Sequence, residues 1–158
     1  TALRSTVSLK SPLVLHLATH GLVDPAQPDR SCVALTADES NDGLLYSHEV
    51  AELQPAASLV VLSACETATG RLRRGEGVVG LGRSFLAGGT RGVVASLWPV
   101  SDESTAVLMD AFYENLFQDR GAAESLTSAR RALIESTDYA HPFHWAAFIV
   151  VGEASAPW

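Results

Sequence analysis

Leu59-Val60-Val61-Leu62-Ser63-Ala64-Cys65-Glu66-Thr67 decides how this chain is read. A short apolar run rich in β-branched residues stops abruptly at a cysteine, which is the form of a buried strand. The strand is expected from Ser58 to Ala64. In open α/β sheets ligands sit outside the carboxyl ends of the strands, so Cys65 stands where chemistry is usually done. A second stretch, Leu13-Val14-Leu15-His16-Leu17-Ala18-Thr19-His20-Gly21, has the same form and delivers a histidine. The two candidates are 65 − 20 = 45 residues apart.

Outward from these runs, strands and helices alternate. Strands are expected over Leu13 to Ala18, Ser31 to Thr36, Gly92 to Leu97 and Ala146 to Val151. Helices are expected over Ser47 to Leu53, Glu76 to Ala87 (stopped by Gly88-Gly89), Ser101 to about Phe117, and Ala122 to Ile134. Ser101 is placed as an N-cap, with Asp102 and Glu103 in the first turn suiting the helix dipole. Gly21 to Arg30 and Thr67 to Gly75 read as loops, and Asn41-Asp42-Gly43 as a turn. This order implies an α/β domain, a three-layer sandwich with a mostly parallel sheet flanked by helices. Residues 1–158 form a single domain, with 153–158 as a tail.

Composition narrows the function. Apolar residues are 47% of the 158 and charged residues 18%, as in a globular chain. A net charge of −7 argues against nucleic acid as a partner, since phosphate binding needs a basic surface. No apolar run approaches the ~20 residues of a membrane span. Two cysteines make no disulfide framework, which implies a reducing, cytoplasmic setting.

A histidine and a cysteine on neighbouring strand ends can work as a dyad. The thiolate is the nucleophile, and the imidazole lowers the thiol pKa and carries the proton to the leaving amine. Against this stands the ordinary role of a free cysteine as a small buried hydrophobe, the role expected for Cys32. His16 is expected to be a satisfied core histidine. Asp24 either orients His20 or forms a turn before Pro25, the commoner use of such a residue. His48, His141 and His144 do not converge with cysteines at ligand spacing, so no metal is expected. Trp98, Phe143, Trp145 and Phe148 read as core, although Trp98 at a strand end could wall a cleft. Gly75-x-Gly77-x-x-Gly80 lacks a strand immediately before it, which excludes a dinucleotide site and leaves close helix packing as its reason. No cofactor is expected.

Ala18-Thr19-His20-Gly21 and Leu62-Ser63-Ala64-Cys65-Glu66-Thr67 resemble the two active-site motifs of the CHAT domain, a caspase-like cysteine peptidase family related to separase. The resemblance continues through Gly75-Glu76-Gly77-Val78-Val79-Gly80-Leu81, Ala87-Gly88-Gly89, Ala95-Ser96-Leu97-Trp98-Pro99-Val100-Ser101-Asp102 and His144-Trp145-Ala146-Ala147-Phe148. It covers nearly everything from Leu13 to Gly152. It implies Cys65 as nucleophile, His20 as general base and acid, and backbone N–H groups of Gly21 and Cys65 as oxyanion hole. Asp102 then either recognises a basic P1 side chain by charge-assisted pairing or serves only its helix N-terminus. The family usually carries further strands before the histidine strand, which implies that N-terminal strands of the fold are absent from this stretch.

These expectations describe a cysteine endopeptidase acting on a protein or peptide substrate, with a possible activating partner or a fused tetratricopeptide-repeat domain. The alternative is a catalytically silent interaction or scaffold module. An α/β hydrolase or acyltransferase fits less well, because Ser63-Ala64-Cys65-Glu66-Thr67 lacks the flanking glycines of a nucleophile elbow.

Overall fold

The computed structural model describes residues 14–24, 26–53, 55, 57–63, 65–66 and 76–153, with the backbone alone for 65, 66 and 76–79. Eight strands and four α-helices follow one another among them: β1 Val14–Leu17, β2 His20–Leu22, β3 Cys32–Ala34, β4 Leu44–Tyr46, α1 Ser47–Leu53, β5 Leu59–Leu62, β6 Cys65–Glu66, α2 Glu76–Ala87, β7 Gly92–Ser96, α3 Asp102–Leu116, α4 Ala122–Glu135 and β8 Phe148–Gly152. The expected loop over Thr67 to Gly75 and most of the tail lie outside the described residues.

The main sheet has the order β1-β5-β7-β8. Its first three strands are parallel and β8 closes it antiparallel. A central parallel strand is covered on both faces, which is why β5 is apolar throughout instead of alternating. Leu59 and Val61 pack with Leu108, Phe112, Leu126 and Leu133 of α3 and α4. Val60 and Leu62 pack on the other side with Val50 of α1 and with Leu81 and Phe85 of α2. All four β5 side chains are fully buried, each contributing about 1.5–3 kcal/mol of hydrophobic stabilisation. The result is the expected three-layer α/β sandwich, with a helix pair on each face of a mostly parallel sheet.

Helix ends follow local chemistry. At the end of α2 the Thr90 N–H donates to Phe85 O and the Gly89 N–H to Leu86 O. Gly89 has φ +97°, so the α2 stop is a Schellman turn with glycine at its left-handed position. At α1 the Ser47 hydroxyl donates to Ser31 O instead of capping its own helix. Glu49 takes over, its Oε2 accepting from the Tyr46 N–H.

A second, smaller sheet of order β4-β3-β2-β6 stands beside the first. The expected loop from Gly21 begins instead as strand β2, and β4 falls where only a turn and a helix start were read. Strands of two or three residues are too short to show a periodic pattern. Both sheets share their chain: β1 runs on into β2, and β5 into β6. The register carries over. Val14 pairs with Leu59 and Leu17 with Leu62, an offset of 59 − 14 = 45. His20 pairs with Cys65, again 65 − 20 = 45. The Ser63 N–H donates to Leu17 O at 3.1 Å across the junction.

Candidate active site

β1, β5 and β7 are parallel and adjacent, so their carboxyl ends line up, and the segments leaving those ends carry the candidate residues. β1 leads to His20 and Gly21, β5 to Cys65, and β7 to Trp98 and Asp102. The parallel ladder between β2 and β6 sets His20 opposite Cys65 and Gly21 opposite Glu66. Neighbouring strands lie about 4.8 Å apart, so paired positions are as close as a sheet allows. Along β2 exposure alternates: His20 and Leu22 reach solvent while Gly21 is buried. The Thr19 hydroxyl donates to Ala34 O at 2.6 Å, tying the bend before His20 to β3.

Asp24 resolves to the turn role. Its Oδ1 accepts from the Ala26 N–H at 2.9 Å and the Gln27 N–H at 3.0 Å, and its own N–H donates to Ser31 Oγ. Cys32 is buried in β3 at 3% exposure. Burial, and secondarily the Asp42 charge, push its thiol pKa upward, which makes it a poor nucleophile. The structural role expected for it stands.

His16 departs from expectation. It is exposed on β1, not part of the core. Its Nδ1 meets the Tyr113 hydroxyl at 3.0 Å. Partial burial lowers the His16 pKa, and burial raises that of Tyr113 to about 12. The remaining histidines are also engaged singly: His48 stacks on Tyr46, His141 Nδ1 accepts from the Phe143 N–H, and His144 Nδ1 meets Ser104 Oγ. Among the described residues no three His, Cys, Asp or Glu side chains gather as metal ligands.

Trp98 is half-buried, packed against the α3/α4 core, and its Nε1–H donates to Phe143 O at 3.2 Å. Phe148 is fully buried and Trp145 packs partly against the same core. Phe143 is 45% exposed, so the expectation that it belongs to the core does not hold. Asp102 is the exposed first residue of α3. Ser101 precedes it in extended backbone without a side-chain cap bond. Its carbonyl instead accepts from the Ser104 hydroxyl at 3.2 Å and the Thr105 N–H at 2.9 Å. The partner of His144 lies 40 positions away and leaves no local pattern in the sequence. Gly77 and Gly80 lie inside α2 and do not form a phosphate-binding turn.

A mostly parallel sheet flanked by helices on both faces is the α/β arrangement of a caspase-like fold. Within it, the chain belongs to the CHAT domain family, whose pattern it matches over residues 1–153. It is similar to mouse tetratricopeptide repeat protein 28, 36% identical over 109 residues. The human protein of the same name is 34% identical over 109 residues. In both cases the match takes in 69% of this chain and 4% of the relative, so the chain corresponds to a small part of those proteins.

Proposed function

We propose that this domain is a cysteine endopeptidase with Cys65 as nucleophile and His20 as general base and acid. One observation carries the reading: the in-register pairing of His20 with Cys65, the first residues of β2 and β6, on the segments that continue β1 and β5 into the second sheet. In the proposed cycle the Cys65 thiolate attacks the scissile carbonyl carbon, forming a C–S bond and an oxyanion. Backbone N–H groups of Gly21 and Cys65 hold that oxyanion. The C–N bond then breaks as the His20 imidazolium gives its proton to the leaving amine. His20 next takes a proton from water, the hydroxide attacks the thioester, and the thiolate leaves. Trp98 and Asp102, on the segment beyond β7, line the substrate cleft, and Asp102 favours a basic side chain before the cut bond.

The substrate is a protein or peptide, and no cofactor takes part. The repeat-protein relatives support a fused repeat array or a separate partner that delivers substrate or activates the site. A free, buried Cys32 suits a reducing cytoplasmic setting. Among the described residues no helix is long and apolar enough to cross a membrane.

The test is covalent labelling with a peptidyl acyloxymethyl ketone, read by mass spectrometry. Cys65 is expected to carry the label and Cys32 none. Cys65→Ala abolishes it, and His20→Ala slows it by roughly 10²–10⁴-fold, the usual worth of a general base. Equal labelling of both cysteines, with His20→Ala indifferent, would remove the peptidase and leave the scaffold module.

A further inference from the structure

We infer that His144 is a positioning residue: acting through Ser104, it holds the segment from Trp98 to Asp102 and so sets the cleft's preference for the side chain before the cut bond. The consequence for selectivity rests on the peptidase reading; the geometry does not.

Ser96 at the end of β7 pairs with Phe148 at the start of β8. The segment leaving β7 and the segment arriving at β8 therefore meet at the carboxyl end of the parallel strands, beside the extension of β5 that carries Cys65. Three hydrogen bonds fasten them. The Leu97 N–H donates to Ala147 O at 2.9 Å. Trp98 Nε1–H donates to Phe143 O at 3.2 Å. His144 Nδ1 meets Ser104 Oγ at 3.0 Å.

Proton counting fixes the last of these. The Ser104 hydroxyl has one proton, and it lies 3.2 Å from Ser101 O, which can only accept. The hydroxyl therefore donates to Ser101 O, and His144 must donate from Nδ1. That N–H is present in the neutral Nδ1–H tautomer and in the imidazolium alike, so the clasp does not depend on the charge of the ring. Tyr139 and Phe143 set the ring plane edgewise, each with its centroid 5.4 Å from the imidazole. Ser104 is fully buried, and its hydroxyl finds its partners within the protein. Ser104 lies two residues after Asp102 in the first turn of α3. The imidazole of one loop thus anchors the helix start that presents Asp102, while the backbone before it holds the Trp98 indole.

The prediction is read in the 158-residue chain by the hydrogen exchange of the Trp98 indole N–H in ¹H–¹⁵N NMR, and by a fluorogenic peptide library varied before the cut bond. In His144→Ala the Trp98 indole exchange is expected to rise by about tenfold or more, as for a local opening that has become easier. Preference for basic over neutral residues flattens through KM, with kcat little changed. His144→Asn, whose amide nitrogen can stand in for Nδ1–H, restores both. Ser104→Ala, a small change in a buried site, reproduces His144→Ala and guards against misfolding of the first variant. Unchanged indole exchange in both His144→Ala and Ser104→Ala overturns the inference, as does faster exchange with an unmoved preference. A wild-type chain that cleaves no library member sinks the peptidase reading and the selectivity claim with it; the clasp is then decided by exchange alone.

Discussion

His16 sits on β1 four residues before His20, and its chemistry differs because its surroundings do. Its Nδ1 meets the Tyr113 hydroxyl, and partial burial holds its pKa below the ordinary value of 6.5. Tyr113 stays protonated up to about pH 12 and does not titrate with His16. The unfolded chain therefore binds the His16 proton more readily than the folded one. Stability from this site is fully present above about pH 6.5 and is lost as pH falls through the lower folded-state value. The difference in unfolding free energy between wild type and His16→Gln should be flat above about pH 7 and should shrink toward pH 5. Denaturant titrations at successive pH values measure it; a difference that grows on acidification would contradict the assignment.

At the scale of elements, two glycines separate backbone demand from tolerance. Gly43, in the turn before β4, has φ +77°, and a Cβ there would lie 2.7 Å from the Ala37 nitrogen. Gly80 lies within α2, and a Cβ there would meet nothing within 4 Å among the described residues. Among those residues nothing packs close enough to require glycine at this position, which differs from the close packing expected of the motif. Gly43→Ala should destabilise by about 1–2 kcal/mol or more. Gly80→Ala should stabilise by about 0.5–1 kcal/mol, since alanine loses less backbone entropy in a helix. Urea midpoints at constant m-value report both, and they should move in opposite directions. The same distinction governs the site: β2 and β6 contribute only two or three residues each, and register rather than propensity sets His20 opposite Cys65.

Over the whole molecule, the main sheet divides the core into two compartments. Phe112 of α3 fills one and Phe85 of α2 the other, and the two buried clusters share no residue. Phe85→Leu and Phe112→Leu should each cost about 0.5–3 kcal/mol. The double variant should equal their sum within about 0.5 kcal/mol, because neither side chain has a partner in common with the other. Coupling well beyond that would show the sheet transmitting strain between layers. Much of this architecture could be read from sequence: the apolar runs of β5 and β7, the α2 span Glu76–Ala87 to the residue, and the Gly88-Gly89 stop all follow from periodicity and local backbone chemistry. So do the two candidate residues, because an apolar run that stops a few residues before His20 or Cys65 marks the segment leaving a parallel strand. Their pairing is a different matter. It depends on β1 and β5 lying side by side with an offset of 45 that continues into β2 and β6, and on short strands without a periodic signature. The exposure of His16 and the union of His144 with Ser104 likewise arise from contacts between distant segments, whereas the turn role of Asp24 is local and rests on Ala26 and Gln27. Local sequence determined which residues could react or bind; only the tertiary register decided which of them meet, because hydrogen-bond partners 40 or more positions apart are chosen by packing and not by the residues beside them.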